Sequence, residues 1–281
     1  MNEDQVAFWN AGPGANWAAH ADELDALHAE VQRLLLSRIG AVTGARIADI
    51  GCGAGALSRA LADSAGPGGE VLGLDVSAPL LEVARARAGD RATLRLETGD
   101  AQAYPFRDDA LDLVTSRFGM MFFDDPAAAF RNLARALRPG GRMVFVAWAE
   151  APANPWFSAA AEVARAHLGV PAPPSAPPMT PGPTAFRDAG RVLSLLADAG
   201  LESASADRQQ TTLSHPGGAA GAAELARHIG PAPGQVRDHG GRRQDLDTIV
   251  ARLRERFATW EGPDGLRIPA TVLVFTAHRP A

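Results

Sequence analysis

The stretch Ala48-Asp49-Ile50-Gly51-Cys52-Gly53-Ala54-Gly55 decides the fold. A short run, Arg46 to Ile50, delivers the chain to a turn made of glycines. A helix carrying Leu57 and Leu61 leaves it. Glycines let a backbone turn sharply and come close to a ligand that side chains would block. The helix opens at the turn, so its unpaired N–H groups face whatever binds there.

Working outward, the same strand-then-helix alternation recurs. Glu70–Asp75, Ala92–Glu97, Leu111–Ser116 and the apolar Met143–Trp148 are expected strands. Between them, Ser77 is a plausible N-cap with Pro79 in the following first turn, where its missing N–H costs little. Asp125-Pro126 opens a helix whose face is Phe130, Leu133, Ala134 and Leu137, and Pro139-Gly140-Gly141 ends it. On the N-terminal side, Leu24, Leu27, Val31, Leu35 and Ile39 recur at helical spacing, predicting one helix over 20–39. Residues 1–19 are expected to be irregular. Beyond Trp148 a helix is expected over 188–199, a strand within 201–213, helices near 219–229 and 244–260, and a last strand over 268–277. The proline-rich stretch 170–183 is either a linker or a lid. The pattern predicts an α/β fold: a doubly wound, mostly parallel, seven-stranded sheet with an N-terminal helical segment and helical cover insertions. Three parts follow: a cap segment (1–40), a core (41–150), and a region of cover segments plus the last strands (151–281).

Composition removes competitors. All 27 basic residues among the 281 are arginine, which excludes Schiff-base and P-loop lysine chemistry. One cysteine, Cys52, cannot make an internal disulfide or a multi-thiolate metal site, and no metal is expected. A net charge of −5 argues against nucleic acid as the partner. The start lacks the basic region of a signal peptide, and Met143–Ala149 is too short to span a bilayer, so a cytoplasmic protein is expected.

Gly51, Gly53 and Ala56 satisfy the dinucleotide pattern G-x-G-x-x-G/A. Asp75 ends the second strand some 20 residues on, where an acid accepts ribose hydroxyls. These two features leave three readings open: a structural turn, an S-adenosylmethionine (SAM) site and an NAD site. Three further segments narrow them: Gly99-Asp100-Ala101-Gln102-Ala103-Tyr104-Pro105-Phe106, Ser116-Arg117-Phe118-Gly119-Met120-Met121-Phe122-Phe123 and Leu137-Arg138-Pro139-Gly140-Gly141. With them the chain resembles a class I SAM-dependent methyltransferase of the type-11 group, which includes the quinone-biosynthesis methyltransferases. The resemblance covers about 45–150 well, and the rest in outline.

The resemblance implies roles. Gly51 and Gly53, with the small Cys52 between them, would lie against the methionine part of SAM, and Asp49 would orient its amino group. Asp75 would take the ribose hydroxyls, with Val76 beside the adenine. After Gly99, Asp100 would accept from the adenine amino group and the Ala101 N–H would meet a ring nitrogen. Ser116 and Arg117 would face the methionyl end. The segment holding Trp9 and Trp17 would fold over the cofactor, where aromatic faces suit a sulfonium; the alternative is that both pin the terminus to the core.

The activity implied is methyl transfer to an O, N or C nucleophile by in-line displacement, leaving S-adenosylhomocysteine. The protein then mainly aligns the reactants and excludes water. No motif names a catalytic base; His20, His28, Asp124 and Asp125 are candidates by position alone. Met120, Met121, Phe122, Phe123, Trp148, Trp156 and Phe157 leave the strand ends and suggest a small apolar or aromatic substrate. Of these, Phe122 and Phe123 are the ones expected to be core. The alternatives are a non-methylating SAM-dependent enzyme, such as a cyclase, and an NAD-dependent dehydrogenase. A homodimer is possible.

Overall fold

The computed structural model describes residues 2–174, 177 and 179–281. The N-terminal segment is helical where irregular chain was expected. It forms α1 (Glu3–Asn10) and α2 (Gly12–Ala19). Pro13 takes an early helical position, where a missing N–H is harmless, and so starts α2 instead of breaking it. The helix expected over 20–39 is two, α3 (Ala21–Leu27) and α4 (Ala29–Ile39), interrupted at His28. Val31, Leu35 and Ile39 are the buried stripe of α4.

Next come β1 (Arg46–Ile50), α5 (Ala56–Ala65), β2 (Glu70–Asp75), α6 (Ala78–Ala88), β3 (Leu94–Thr98) and β4 (Leu111–Arg117). Ser77 caps α6, its hydroxyl accepting from the Leu80 N–H. After a 3-10 turn at Gly119–Phe122, Asp125 caps α7 (Pro126–Ala136), accepting from the Ala128 N–H at 2.9 Å.

The fifth strand differs from expectation. β5 runs over Leu137–Trp148, so Leu137 belongs to the strand and not to the α7 face. Pro139-Gly140-Gly141 lies inside it, where the register against β4 shifts. Gly140 takes φ 74°, and its N–H donates to Arg279 O at 3.1 Å, so the interruption is a bulge and not a helix end.

The remaining chain adds α8 (Pro155–Leu168), α9 (Ala189–Asp198), β6 (Glu202–Leu213), α10 (Gly218–Leu225), α11 (Pro231–Asp238), α12 (Arg243–Ala258), the small hairpin β7 (Glu261–Gly262) and β8 (Gly265–Leu266), and β9 (Ile268–His278). The sequence reading lacked α8, α11 and the hairpin. The stretch 170–183 includes residues 175, 176 and 178, which lie outside the described residues. Its end is fastened: Gly182 donates to Met121 O at 3.0 Å, and Phe186 is buried.

Seven strands form one sheet in the order β3-β2-β1-β4-β5-β9-β6. The first five are parallel, and β9 runs antiparallel between β5 and β6. Central strands are apolar on both faces, as sheets covered on both sides require. Among the described residues, no helix is long and apolar enough to cross a membrane.

Candidate functional site

The order β3-β2-β1-β4-β5 reverses direction between β1 and β4. Open α/β sheets leave a crevice there, outside the C-terminal strand ends. This one holds a cavity of about 740 Å³, its open mouth included. The ends of β1 to β4 form its floor and walls, through Gly51, Gly53, Asp75, Val76, Gly99, Asp100, Ala101, Arg117 and Phe118. Asn2, Gln5, Trp9 and Trp17 form a roof.

Glycine is required at two floor positions. Gly51 has φ 65°, and a Cβ on it would lie 2.6 Å from the Gly119 Cα. The turns after β1 and β4 therefore touch backbone to backbone. Gly53 has φ 55°, but a Cβ there meets no atom within 4 Å, so it borders open space. Ser116 locks the two turns. Its hydroxyl donates to Ile50 O at 2.6 Å and accepts from the Gly119 N–H at 3.0 Å.

The two strand-end carboxylates are both buried but differently satisfied. Asp75 accepts from the Gly53 N–H at 2.7 Å and the Ser77 N–H at 2.8 Å. Burial raises its pKa, and these backbone N–H groups oppose the rise. Asp49 accepts from the Ser58 hydroxyl at 2.5 Å, and among the described residues its Oδ1 has no close partner. Burial lifts its pKa to about 7 against the pull of Ser58 and Arg117. Asp49 faces α5 and lies behind the cavity wall. Cys52 also packs behind the turn, against Gly73, and burial pushes its thiol pKa up. Asp100 lines the cavity and also holds its own turn, accepting from the Gln102 N–H at 3.0 Å.

The roof is fastened by side chains. Asn10 donates to Val76 O at 2.8 Å and accepts from the Ala78 N–H at 2.9 Å, gripping the β2–α6 turn. The Ser77 hydroxyl donates to Trp9 O at 2.8 Å. Trp9 meets Trp17 and Phe122 edge to face at 5.6 and 5.1 Å. Arg117 donates to Gln32 and Asp25, at 2.9 and 3.0 Å, tying β4 to α3 and α4. Asp25 also pairs with Arg87 of α6.

Phe118 takes φ 72°, a left-handed conformation that is strained for a bulky residue. Its ring stacks on Trp148 at 4.0 Å. His28 sits against Phe118 and Trp148, at 5.4 and 5.8 Å. Burial and the Arg117 charge lower its pKa to about 3, so the ring is neutral.

The structure brings to the cavity Trp9, Trp17, Gly51, Gly53, Asp75, Val76, Gly99, Asp100, Ala101 and Arg117. Asp49, Cys52 and Ser116 support it from behind. Among the proposed bases, Asp125 is spent as a helix cap, and Asp124 is exposed outside the cavity wall. His20 lies 2.8 Å from Glu23 and stacks on His228, outside the lining. Phe123 is core, as expected, and also borders the cavity; Phe122 is half-buried and lines it, while Met120, Met121 and Trp156 are core. Sequence reasoning missed Asn2, Asn10 and Phe118. Asparagines flanking an aromatic segment were the available signal for the first two.

A sheet of this order with its cavity at the β1–β4 switch defines a class I methyltransferase fold. Residues 48–145 match the family model described as Methyltransferase domain. The demethylmenaquinone methyltransferase of Lactococcus lactis is 37% identical over 113 residues, 40% of this chain and 45% of that protein. The chain thus spans less than half the length of this curated relative. The YcgJ protein of Bacillus subtilis superposes with a TM-score of 0.54 at 18% identity, over 89% of this chain and 98% of that one. Phosphoethanolamine N-methyltransferase 2 of Haemonchus contortus, solved with S-adenosyl-L-methionine, gives 0.54 at 17% identity, over 89% and 52%.

Proposed function

We propose that the protein transfers the methyl group of SAM to an O, N or C nucleophile of a small, apolar or aromatic molecule. The observation that carries this reading is the convergence of Gly53, Asp75 and Asp100 on one cavity under an aromatic roof. The residues fit the cofactor. Open space beside the left-handed Gly53 admits a ligand against the backbone. The Asp75 carboxylate retains lone pairs for two hydroxyls after accepting two N–H groups. Bound SAM supplies an already activated methyl on a sulfonium.

The chain's own residues then have four tasks. Asp75 and Asp100 hold the nucleoside. Trp17 and Phe118 give an apolar wall at the Arg117 end of the cavity. The roof, fastened by Asn10, excludes water. Phe118, backed by the buried Trp148 on which it stacks, gives an aromatic wall for a flat substrate. The demethylmenaquinone methyltransferase name of the relative supports the same substrate class.

Calorimetry with SAM and S-adenosylhomocysteine tests the site, and mass analysis of products with aromatic acceptors tests the chemistry. The expected result is binding of both and a product heavier by one methyl. Binding without consumption of SAM, alongside conversion of the second substrate, would transfer the reading to a non-methylating enzyme.

A further inference from the structure

Three histidines and a glutamate meet outside the cavity lining, and the proposed reaction uses none of them. His20 joins α2 to α3. Its Nδ1 lies 2.8 Å from Glu23 Oε1, and His215 Nε2 lies 3.1 Å from Glu23 Oε2. The His228 ring stacks on His20, with centroids 4.6 Å apart and planes 23° from parallel. His20 and Glu23 belong to the helices that continue the roof, whereas His215 and His228 flank α10. Asn16 adds a bond across the same seam, from Nδ2 to His228 O at 3.5 Å. Hydrogen bonding fixes the His215 tautomer. Its Nδ1 accepts from the Gly217 N–H at 3.0 Å, so the ring proton sits on Nε2 and is donated to Glu23. The ring is buried against α10, where a Cβ on Gly221 would come within 2.4 Å of Nδ1. A second ring proton would break the Gly217 bond.

The other charges around the seam are matched elsewhere. Asp22 and Asp25 of α3 face Arg87. Arg227 pairs with Glu224 and with Asp247 of α12, and Glu261 accepts from the Ala219 N–H at 3.2 Å. Glu23 serves two of the three rings, and the His20 hydrogen bond above all holds its carboxyl below the usual range. Burial, and then the His20 charge, lower the His228 pKa, against a weaker opposing pull from Glu224 and Glu23. The closed seam thus favours a neutral His228. Such a group supports the closed contact above pH 6.5 and withdraws that support as pH falls. Two charged rings in one stack also repel.

We propose that His20, Glu23, His215 and His228 form an acid-sensitive clasp, which holds the α2–α3 part of the roof against α10 and releases it as the imidazoles gain protons. The seam begins just after Trp17, which lines the cavity. Resting on the SAM reading above, release of the clasp weakens the hold on the cofactor.

Hydrogen exchange on the ligand-free full chain, at about pH 7.5 and 5.5 and corrected for intrinsic rates, reads the clasp directly. His228→Phe keeps the stack and removes the charge. On acidification, protection of α2 and α3 amides should fall about tenfold more in the wild type than in His228→Phe. His28, which packs on Trp17, titrates in both chains and cancels in the comparison. An equal fall in both chains overturns the inference. Unchanged wild-type protection overturns it without any variant, should His228→Phe disturb folding. Calorimetry with S-adenosylhomocysteine at the same two pH values tests the link to the site. The wild type should lose about tenfold more affinity than the variant, and an equal loss overturns the link. If the wild type binds no S-adenosylhomocysteine at the higher pH, the SAM reading falls, while the exchange result still decides the clasp.

Discussion

The floor and the roof of the cavity are built by opposite means. The floor is backbone: Gly51 against Gly119, and the Gly53 and Ser77 N–H groups on Asp75. The roof is side chains reaching back to backbone: Asn10 onto Val76 and Ala78, and Asn2 onto Phe122. Where Gly51 meets Gly119 the floor tolerates no added atom, whereas a roof of amide bonds opens at small cost.

Substitution at the glycine contact should have the largest effect. Gly51→Ala places a Cβ 2.6 Å from the Gly119 Cα at a left-handed φ. Backbone strain alone costs about 1–3 kcal/mol. The melting temperature should fall, and S-adenosylhomocysteine binding should drop below calorimetric detection. Gly53→Ala carries only the φ penalty, so its melting temperature should fall less. Equal melting temperatures for the two variants would erase the distinction between packed and open floor.

Asp75→Ala comes next. It leaves two buried N–H groups without their acceptor and the ribose without a partner. A charged hydrogen bond contributes about 1.5–3 kcal/mol, so SAM affinity should fall at least tenfold. Unchanged affinity would remove Asp75 from the ligand.

Protons distinguish the regions too. His28, at the α3–α4 junction, has its pKa lowered from 6.5 to about 3. Its neutral burial contributes stability above pH 6.5 that is lost as pH falls toward 3. Asp49, under the floor, has its pKa raised from 3.8 to about 7. Its contribution is complete below pH 3.8 and is lost as pH rises through 7. The slopes oppose, each about 1.4 kcal/mol per pH unit. Urea unfolding between pH 6.5 and 4.5 should show His28→Gln gaining stability on acidification and Asp49→Asn losing it. Parallel slopes in the two variants would contradict the assignment.

The roof latch should give the smallest effect. Asn10→Ala removes three exposed hydrogen bonds, to Val6, Val76 and Ala78, of which the two to the β2–α6 turn form the latch, about 0.5–1.5 kcal/mol each. SAM affinity should weaken several-fold with little change in melting temperature. A melting shift as large as that of Gly51→Ala would make the roof part of the core.

This contrast also explains what the sequence could disclose. Backbone requirements leave glycines and strand-end acids at set intervals, so Gly51, Gly53, Asp75 and Asp100 stand out. Side-chain latches leave only a faint signal, here asparagines flanking an aromatic segment, because an asparagine does not disclose its partner turn. Trp9 and Trp17 were legible as aromatic cover, but the helices carrying them were not, since Gly and Pro mask short helices. The core and surface roles of Met120 to Phe123 depend on one tight turn that period arguments cannot resolve. Asp49 matched its motif, yet its contacts showed that it supports the wall from behind.

The placement of β9 governs how the chain acquires its shape. Residues 268–278 lie between β5 and β6, pairing Val146 with Val274 and Asp207 with the same residue. Until they emerge from the ribosome, β5 has an unpaired, strongly apolar edge and β6 has no place in the sheet. Such edges recruit other strands. Sheet closure over this sequence distance is slow relative to local pairing. The sheet is therefore completed only after β9 is made, and the apolar edge of β5 waits for residues more than a hundred positions later in the chain.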